Sequence, residues 1–411
     1  MSRNLYKNPF IRRNGTIFEW ISMSNGFAWI SVLVFLIALY VVMGESVSGT
    51  SAIENAWIER APIPVAMLVE GTATLSGWIY SFGLDSKDNS ITFAYNPSTN
   101  VWIKKASMPT SSVYFGIAVY QSKIYIMGGA KFSNNQIENV DYDLNQVFDP
   151  ATNNWSTKEP MPIKATAINA NVVNNKIYVV SGYSLNGALL NFTQIYDPEA
   201  NNWAIAKSSI PTPVAYYASG VINDKIYVAG GASSTSDSTN QLQIYDTQTD
   251  EWTIGAPLPT AVSQAVGTAT LGIYAPPRLY VVGGRSVNSY FLKNNQIYDP
   301  QTNNWSAGKQ FPNNPAGITQ QGLTVTNFND TLYFVGGTTQ LLSGYYESTE
   351  QYIPENYNGT IPSPQVGVPP TANPFPTTTV AVFLIAVTVV VVCAYLVFYF
   401  THLKRSNLRH K

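Results

Sequence analysis

The sequence has almost none of the side chains that bind transition metals. It contains two histidines and one cysteine, and all three (Cys393, His402 and His410) lie close to the C-terminus. Imidazole- and thiolate-ligated zinc or copper sites are therefore excluded from the rest of the chain. A single cysteine also excludes any disulfide within the chain. We expect no metal and no cofactor.

Charge is also scarce, at 11% of residues, against about 25% in ordinary soluble domains. Between residues 45 and 378 there are only three arginines, Arg60, Arg278 and Arg285, which argues against a multi-arginine clamp for a carboxylate ligand. This region carries a net charge of −8, whereas both ends of the chain are basic. An acidic middle region argues against nucleic-acid binding. Basic residues collected at both ends predict cytoplasmic termini.

Two apolar segments flank the middle region. Residues 379–401 carry no charge, are long enough to cross a bilayer as a helix, and precede the basic tail 402–411. Residues 27–44, which follow the tail 1–26, are interpreted as a transmembrane signal anchor, with a cleaved signal peptide as the alternative. Either interpretation exports the middle region. The Pro/Thr-rich residues 355–378 predict an extended stalk.

The exported region repeats a pattern of four markers six times. An apolar run ends at glycine, and the last glycines of successive repeats are 46, 53, 49, 53 and 53 residues apart. A turn such as Asp149-Pro150 follows, then a tryptophan, and then an apolar residue before proline, as in Met161-Pro162. The six tryptophans are Trp57, Trp102, Trp155, Trp203, Trp252 and Trp305.

Each marker has a physical role. A continuous apolar run predicts a strand buried on both faces. Glycine allows a positive φ where the strand ends, and Asp, Pro and Asn favour tight turns. Tryptophan supplies a large ring to pack between units. Together the markers resemble the kelch repeat over residues 53–354. The resemblance implies an all-β, six-bladed kelch-type β-propeller, which we expect to be flanked by N- and C-terminal transmembrane helices.

The ends of the repeat region predict how the ring closes. Trp57 has no Tyr-Asp-Pro turn before it, and Tyr352 has no tryptophan after it. The segment around Trp57 is therefore expected to form the outer strand of the last blade. Such closure places both chain ends on one side of the ring.

Several kinds of enzyme chemistry are excluded. The resemblance would allow galactose-oxidase-like copper chemistry, but the histidines and cysteine that it needs are missing from the propeller. No glycine-rich phosphate loop or Ser-His-Asp arrangement occurs. We expect a protein that is not an enzyme. Asp141, Asp143 and Asp237 keep open the alternative of a carbohydrate-active enzyme, and a structural envelope component is a further alternative.

Recognition is expected on the long loops that follow the glycine pairs, because long loops on a rigid scaffold commonly carry binding sites. The predicted function is cell-surface binding or adhesion, in which this loop face recognises an extracellular glycan or protein partner. Phe132, Tyr183 and Tyr217 belong to the same set of aromatic residues. The ligand-binding candidates are Arg285, Tyr290, Phe291, Tyr345, Tyr346, Tyr114 and Tyr216.

Sequons for N-glycosylation fit an exported domain. Asn14, on the predicted cytoplasmic side, is expected to stay unmodified. The glycosylation candidates are Asn154, Asn191, Asn304, Asn329 and Asn358.

Overall fold

The structure, a computed structural model, describes residues 53–133, 136–184, 186–289, 292–312, 323–337 and 347–361. The predicted segments 1–26, 27–44, 379–401 and 402–411 lie outside the described residues, as does most of the stalk. Every regular element in the described ranges is a β-strand. The strands are β1 (Ala56–Glu59), β2 (Leu68–Leu75), β3 (Trp78–Leu84), β4 (Ser90–Asn96), β5 (Val101–Lys105), β6 (Gly116–Tyr120), β7 (Lys123–Met127), β8 (Ala130–Ser133), β9 (Gln136–Asp141), β10 (Asn145–Asp149), β11 (Asn154–Thr157), β12 (Ala170–Val173), β13 (Lys176–Val180), β14 (Thr193–Asp197), β15 (Asn202–Ile205), β16 (Ala218–Ile222), β17 (Lys225–Ala229), β18 (Leu242–Asp246), β19 (Glu251–Ile254), β20 (Val266–Ala269), β21 (Leu279–Val282), β22 (Asn295–Asp299), β23 (Asn304–Ala307), β24 (Leu323–Phe328), β25 (Thr331–Gly336) and β26 (Thr349–Ile353).

Six antiparallel four-stranded sheets form the blades of a propeller. Blades 1 to 5 are β2–β5, then β6, β7, β10 and β11, then β12–β15, β16–β19 and β20–β23; blade 6 is β24, β25, β26 and β1. The first strand of each blade lies beside the first strands of both neighbours, so six inner strands surround a central channel. β8 and β9 form a separate hairpin between β7 and β10. The predicted all-β, six-bladed propeller is confirmed.

The N-terminal strand closes the ring. β1 pairs with β26, with Trp57 opposite Tyr352, so the first described strand completes the last blade as expected. The Trp57 ring lies 4.7 Å from the Phe311 ring and 5.0 Å from the Phe334 ring. Its Nε1 donates a hydrogen bond to the carbonyl oxygen of Lys309 at 3.0 Å. Blade 6 is therefore held together by residues from both ends of the repeat region.

The blade tryptophans link each blade to the one before it. Trp155 Nε1 donates to the carbonyl oxygen of Ala106 at 2.9 Å. Asn153, in the preceding turn, has a φ of 56° and accepts a hydrogen bond from Ala106 N at 3.0 Å through its side chain. Asparagine tolerates this left-handed backbone better than most residues. Trp252 departs from the pattern, since its Nε1 has no partner among the described residues. The same tryptophan contact joins Trp102 to Ala61, Trp203 to Glu159 and Trp305 to Ala256.

The apolar core lies between the blades. Tyr196 of blade 3 is fully buried in a cluster with residues of blade 2, and Tyr298 of blade 5 is buried against blade 4. The hydroxyl groups of both tyrosines reach the turn that follows: Tyr196 donates to Asn201 at 2.6 Å, and Tyr298 donates to Asn303 at 2.7 Å. Buried tyrosine hydroxyls need such partners. The Tyr-Asp-Pro marker therefore combines a core side chain with a turn.

The propeller has two different faces. One face, which we call the loop face, carries two kinds of connection. The first kind joins the fourth strand of one blade to the first strand of the next, and the second kind joins the second and third strands within a blade. The turns between first and second strands and between third and fourth strands lie on the opposite face, the turn face. Both described chain ends lie on the turn face, where Asn356 N donates to the Glu54 carboxylate at 2.7 Å. The expected common side for the two ends is confirmed.

Candidate functional site

The loop face brings the predicted loops and the inner-strand tyrosines together. The residues just before the inner strands form backbone bridges with the loops that follow the glycine pairs. Tyr114 and Tyr216 therefore lie on the same rim as these loops, as expected. The bridged pairs are Val113 with Ala130, Thr166 with Tyr183, Ala215 with Ala232 and Ser263 with Arg285.

Four rim residues share a left-handed backbone conformation. The φ angles of Tyr114, Ala167, Tyr216 and Gln264 are 57°, 55°, 54° and 53°. The N–H of each of the last three donates to the carbonyl oxygen of the preceding one, at 2.9, 3.1 and 2.8 Å in chain order. Non-glycine residues rarely adopt this conformation, which costs of order 1 kcal/mol each. The hydrogen bonds between blades maintain it and fix the rim.

In blade 1, Glu70 supplies the hydrogen-bond acceptor that Tyr114, Ala167 and Tyr216 supply in the next three blades. It lies at a bulge where the β2–β3 register shifts between Val69 and Gly71. Its Oε2 accepts the Tyr114 N–H at 2.7 Å, so a carboxylate oxygen stands where other blades supply a carbonyl. Its Oε1 is shielded from solvent and has no hydrogen-bond partner among the described residues. Gly71 is required beside it, because a Cβ there would lie 2.6 Å from the Phe115 ring.

Burial determines the ionisation of Glu70. Loss of solvation raises the pKa of the carboxyl group to about 8, against the opposing effect of the hydrogen bond from Tyr114. The side chain is therefore mostly protonated at neutral pH. Sequence reasoning did not identify Glu70, although an acidic residue within the apolar stretch Met67–Val69 and Gly71 was a visible signal.

A small cavity of about 70 Å³ opens at this end of the channel. Below it the channel holds a cavity of about 510 Å³, lined by neutral polar and aliphatic side chains of the inner strands, with Asp330 at the turn face. Among the residues that line this cavity, Asp330 is the one that carries a charge. Glu70, Tyr114, Phe115, Asn169, Tyr216 and Thr324 are among the residues that line the upper cavity.

Three tyrosines meet beside the cavity. The Tyr216 ring lies edge-on to the Tyr114 ring, with centroids 5.3 Å apart, and 5.9 Å from the Tyr183 ring. Burial raises the pKa of Tyr183, the charge of Asp237 raises it further, and the charge of Arg285 lowers it. We call Tyr114, Tyr183, Tyr216 and Arg285 the tyrosine patch. It contains three of the predicted candidates, whose binding role stays a prediction.

Two aromatic residues of the predicted set are not on the surface. Phe132 packs with Leu68 and Leu84, and Tyr217 is fully buried between blades 3 and 4. The prediction that Phe132 is an exposed loop aromatic is wrong, and Tyr217 does not line the rim, because a position in the sequence does not reveal that a ring turns inward. The candidates Tyr290, Phe291, Tyr345 and Tyr346 lie outside the described residues.

The three arginines lie in separate places. Arg60 is buried and donates through Nε to Gln351 Oε1 at 2.9 Å. Arg278 pairs with Asp299 at 3.0 Å near the turn face, and Arg285 lies on the loop face. Arg60, Arg278 and Arg285 therefore do not form a shared clamp. In the described part of the chain, no group of three histidine, cysteine, aspartate or glutamate side chains is placed to hold a metal ion.

The sequon asparagines are accessible. Asn154 and Asn304 begin the outer strands β11 and β23, as their position before tryptophan predicted, and Asn191 lies in a loop-face connection. All five, including Asn329 and Asn358, are exposed.

No helix within the described ranges has the length and apolar character needed to span a bilayer.

Comparison with known proteins identifies the family. A family model described as the KLHDC2/KLHL20/DRC7 Kelch-repeats domain matches residues 114–337, more than half of the 411-residue chain. The chain therefore belongs to this kelch-repeat family, and the resemblance drawn from the four markers is confirmed.

Individual relatives are distant and longer. Kelch-like protein 23 of Mus musculus is 24% identical over 211 residues, covering 45% of this chain and 36% of that protein. Beta-scruin of Limulus polyphemus is 30% identical over 152 residues, covering 35% of this chain and 16% of that protein. The chain spans about a third of the length of the first relatives that it matches.

The solved structure of YjhT aligns with a TM-score of 0.60 over 72% of this chain and 97% of that one. Its sequence identity of 16% means that the likeness shows the fold alone.

Proposed function

We propose that this protein is a membrane-anchored cell-surface recognition protein that binds another protein through its loop face. One observation carries the proposal: the tyrosine patch lies on the face opposite both described chain ends. A propeller tethered by its turn face presents its loop face away from the tether. The predicted anchors 27–44 and 379–401 would supply that tether.

The kelch family supports a protein partner, because kelch propellers commonly serve as protein-binding scaffolds. The tyrosine patch has suitable chemistry. Tyrosine offers a large contact area and a polar hydroxyl while losing little side-chain entropy on binding. Hydrogen bonds between blades hold the backbones of Tyr114 and Tyr216, so their rings are arranged before a partner arrives. This arrangement reduces the entropy that is lost when the partner binds.

The site favours binding over catalysis. Glu70 is the one carboxylate among the described residues that line the upper cavity. Hydrolysis of a glycosidic bond usually needs two carboxyl groups flanking the bond. A half-buried tyrosine surface with one protonated carboxyl group instead suits recognition through apolar contact and hydrogen bonds.

The first test locates the partner and then the contact. A photo-crosslinking side chain at Val287, exposed on the loop face, should capture a protein on intact cells, whereas one at Ile53, exposed near the chain ends, should not. For the captured protein, Tyr216→Ala should weaken binding at least about tenfold, as expected for a central aromatic contact. Val101→Ala, at an exposed position on the turn face, is the control and should leave the affinity unchanged.

Equal loss of affinity in the two variants, or capture only from Ile53, would contradict recognition through the loop face. Saturable binding to an immobilised glycan that Tyr216→Ala weakens, with no captured protein, would identify a carbohydrate partner instead.

Glycan occupancy tests the topology. In a host that glycosylates exported proteins, peptide mass spectrometry should find glycan on one or more of the five exposed sequons. Asn14 should be unmodified, because the tail 1–26 is predicted to stay in the cytoplasm. Glycan at Asn14 with bare propeller sequons would reverse the proposed orientation.

A further inference from the structure

Blade 5 differs from the other blades at its turn face. In blades 1, 2, 3, 4 and 6, two residues join the first strand to the second, as at Asn174-Asn175 and Asn223-Asp224. In blade 5 the connection runs through residues 270–278, which we call the blade 5 loop. It exposes apolar side chains to solvent: Leu271 is 62% exposed and Ile273 60% exposed. Tyr274 beside them is 38% exposed.

The blade 5 loop is firmly held. The Asp330 side chain is fully buried in the adjacent turn of blade 6. It accepts backbone hydrogen bonds from Leu271, Ile273 and Tyr274 at 2.5, 2.6 and 2.8 Å, and one from Ala275 at 3.2 Å. Burial would raise the pKa of this carboxyl group, but the hydrogen bonds from the loop backbone outweigh it and hold the pKa below its usual value. The apolar side chains are therefore presented by a fixed backbone.

The loop lies beside the segment where the chain leaves the propeller. Asn358 N donates to the Tyr274 carbonyl oxygen at 2.8 Å, and the Tyr274 and Tyr357 rings are 6.1 Å apart. Ala275 packs in a small cluster with Ile353 and Tyr357. The exposed apolar residues thus lie close to the described C-terminal end of the domain.

The N-terminal tether is short. Glu54 is fixed to the propeller by its hydrogen bond from Asn356, and the predicted anchor ends at residue 44. The connecting residues 45–53 span about 30 Å at most when fully extended, at roughly 3.3 Å per residue. The longer C-terminal stalk can reach further, so the N-terminal segment limits the distance. If the anchor is retained, the turn face is always within reach of the bilayer surface.

We propose that the blade 5 loop inserts Leu271 and Ile273 into the lipid surface and places Tyr274 at its polar boundary. The inference rests on the membrane anchor of the proposed function and adds a third point of attachment. Aliphatic side chains gain by leaving water, and tyrosine favours the region where acyl chains meet headgroups. Contact at the turn face would hold the loop face pointing away from the membrane.

The test uses the full-length chain in phosphatidylcholine vesicles, with Cys393→Ser as background. An environment-sensitive fluorophore is attached at Ile273→Cys or, as the matched control, at Val287→Cys, which is 76% exposed on the opposite face of the same blade. At 273 we expect blue-shifted emission that nitroxide-labelled acyl chains quench at least about twofold, as for a buried interfacial side chain. At 287 we expect water-like emission without quenching.

Each contrary outcome has a distinct meaning. If both labels are water-like while the protein resists carbonate extraction from the vesicles, the anchor stands and the loop contact is refuted. Blue-shifted emission at 273 without lipid quenching would show that a protein surface covers the loop, which also refutes lipid contact. If carbonate extracts the chain, the proposed anchoring fails and this inference fails with it.

Discussion

Replacing Trp57 by alanine should lower the free energy of unfolding by about 3 kcal/mol. Changes from a large aromatic residue to alanine in packed sites cost about 3–5 kcal/mol, and we expect the lower end of this range because Trp57 is half-buried. The substitution removes contacts with the Phe311, Phe334 and Tyr352 rings. It also removes the hydrogen bond to Lys309. These interactions fasten the first described strand to the last blade, so their loss weakens the closure of the whole ring. Thermal unfolding of the full chain in detergent, followed by circular dichroism, would measure the change.

Trp252→Ala provides the matched control. Trp252 stacks on Tyr245 at 4.9 Å, but its Nε1 has no hydrogen-bond partner in the described part of the chain, and it lies within a blade built from consecutive strands. Replacing Trp252 by alanine should lower the midpoint temperature of thermal unfolding less than replacing Trp57 does. Equal shifts would show that the closing strand adds nothing beyond ordinary packing between blades.

Glu70→Gln should change how stability depends on pH. The pKa of Glu70 is raised from its ordinary value of 4.5 to about 8 in the folded chain. Below pH 4 the carboxyl group is protonated in both folded and unfolded states, and its stabilising contribution is fully present. As pH rises toward 8, the unfolded state releases its proton more readily, so the native chain loses stability. At 1.36 kcal/mol per unit of pKa shift, the loss between pH 5 and pH 8 is about 3 kcal/mol.

The glutamine variant keeps an oxygen to accept the Tyr114 N–H but has no proton to release. Its stability relative to the native chain should therefore rise steadily from pH 5 to pH 8 and level off above that. Denaturant unfolding at several pH values measures this difference. Glu70→Ala is the control, because it removes the acceptor and should destabilise the protein even at low pH. A constant difference between native and glutamine chains over this range would rule out a buried, protonated Glu70.

The repeated markers made the fold predictable. Each occurs in all six repeats at nearly constant spacing, and each acts locally: a strand-ending glycine, a tight turn that carries proline in five of the six repeats, and a tryptophan in the outer strand. Even ring closure followed from the order of the markers, because Trp57 lacked a turn before it. Repeats allow this, since every blade meets a copy of the same neighbour and one correct assignment serves all six.

Some repeated contacts have a sequence signal that lies outside the four markers. A glutamine stands two residues before the aromatic residue of the turn marker in four blades, and its side-chain amide pairs with the backbone of the incoming link. Gln146, for example, accepts from Thr110 N at 2.9 Å and donates to Thr110 O at 3.0 Å. The equivalent residues are Gln194, Gln243 and Gln296.

The sequence by itself determined the class of fold, the number of blades, the closing strand and the candidates Tyr114, Tyr216 and Arg285, because these depend on local patterns that recur along the chain. Only the tertiary structure decided that these residues meet Tyr183 in one patch and that Phe132 and Tyr217 turn inward. It also revealed the raised pKa of Glu70 and the anchored loop of blade 5. Both arise where one blade departs from the repeat, and their properties depend on partners more than 40 residues away in the chain. Burial and hydrogen bonding across such separations are set by how the blades pack, which no local pattern encodes.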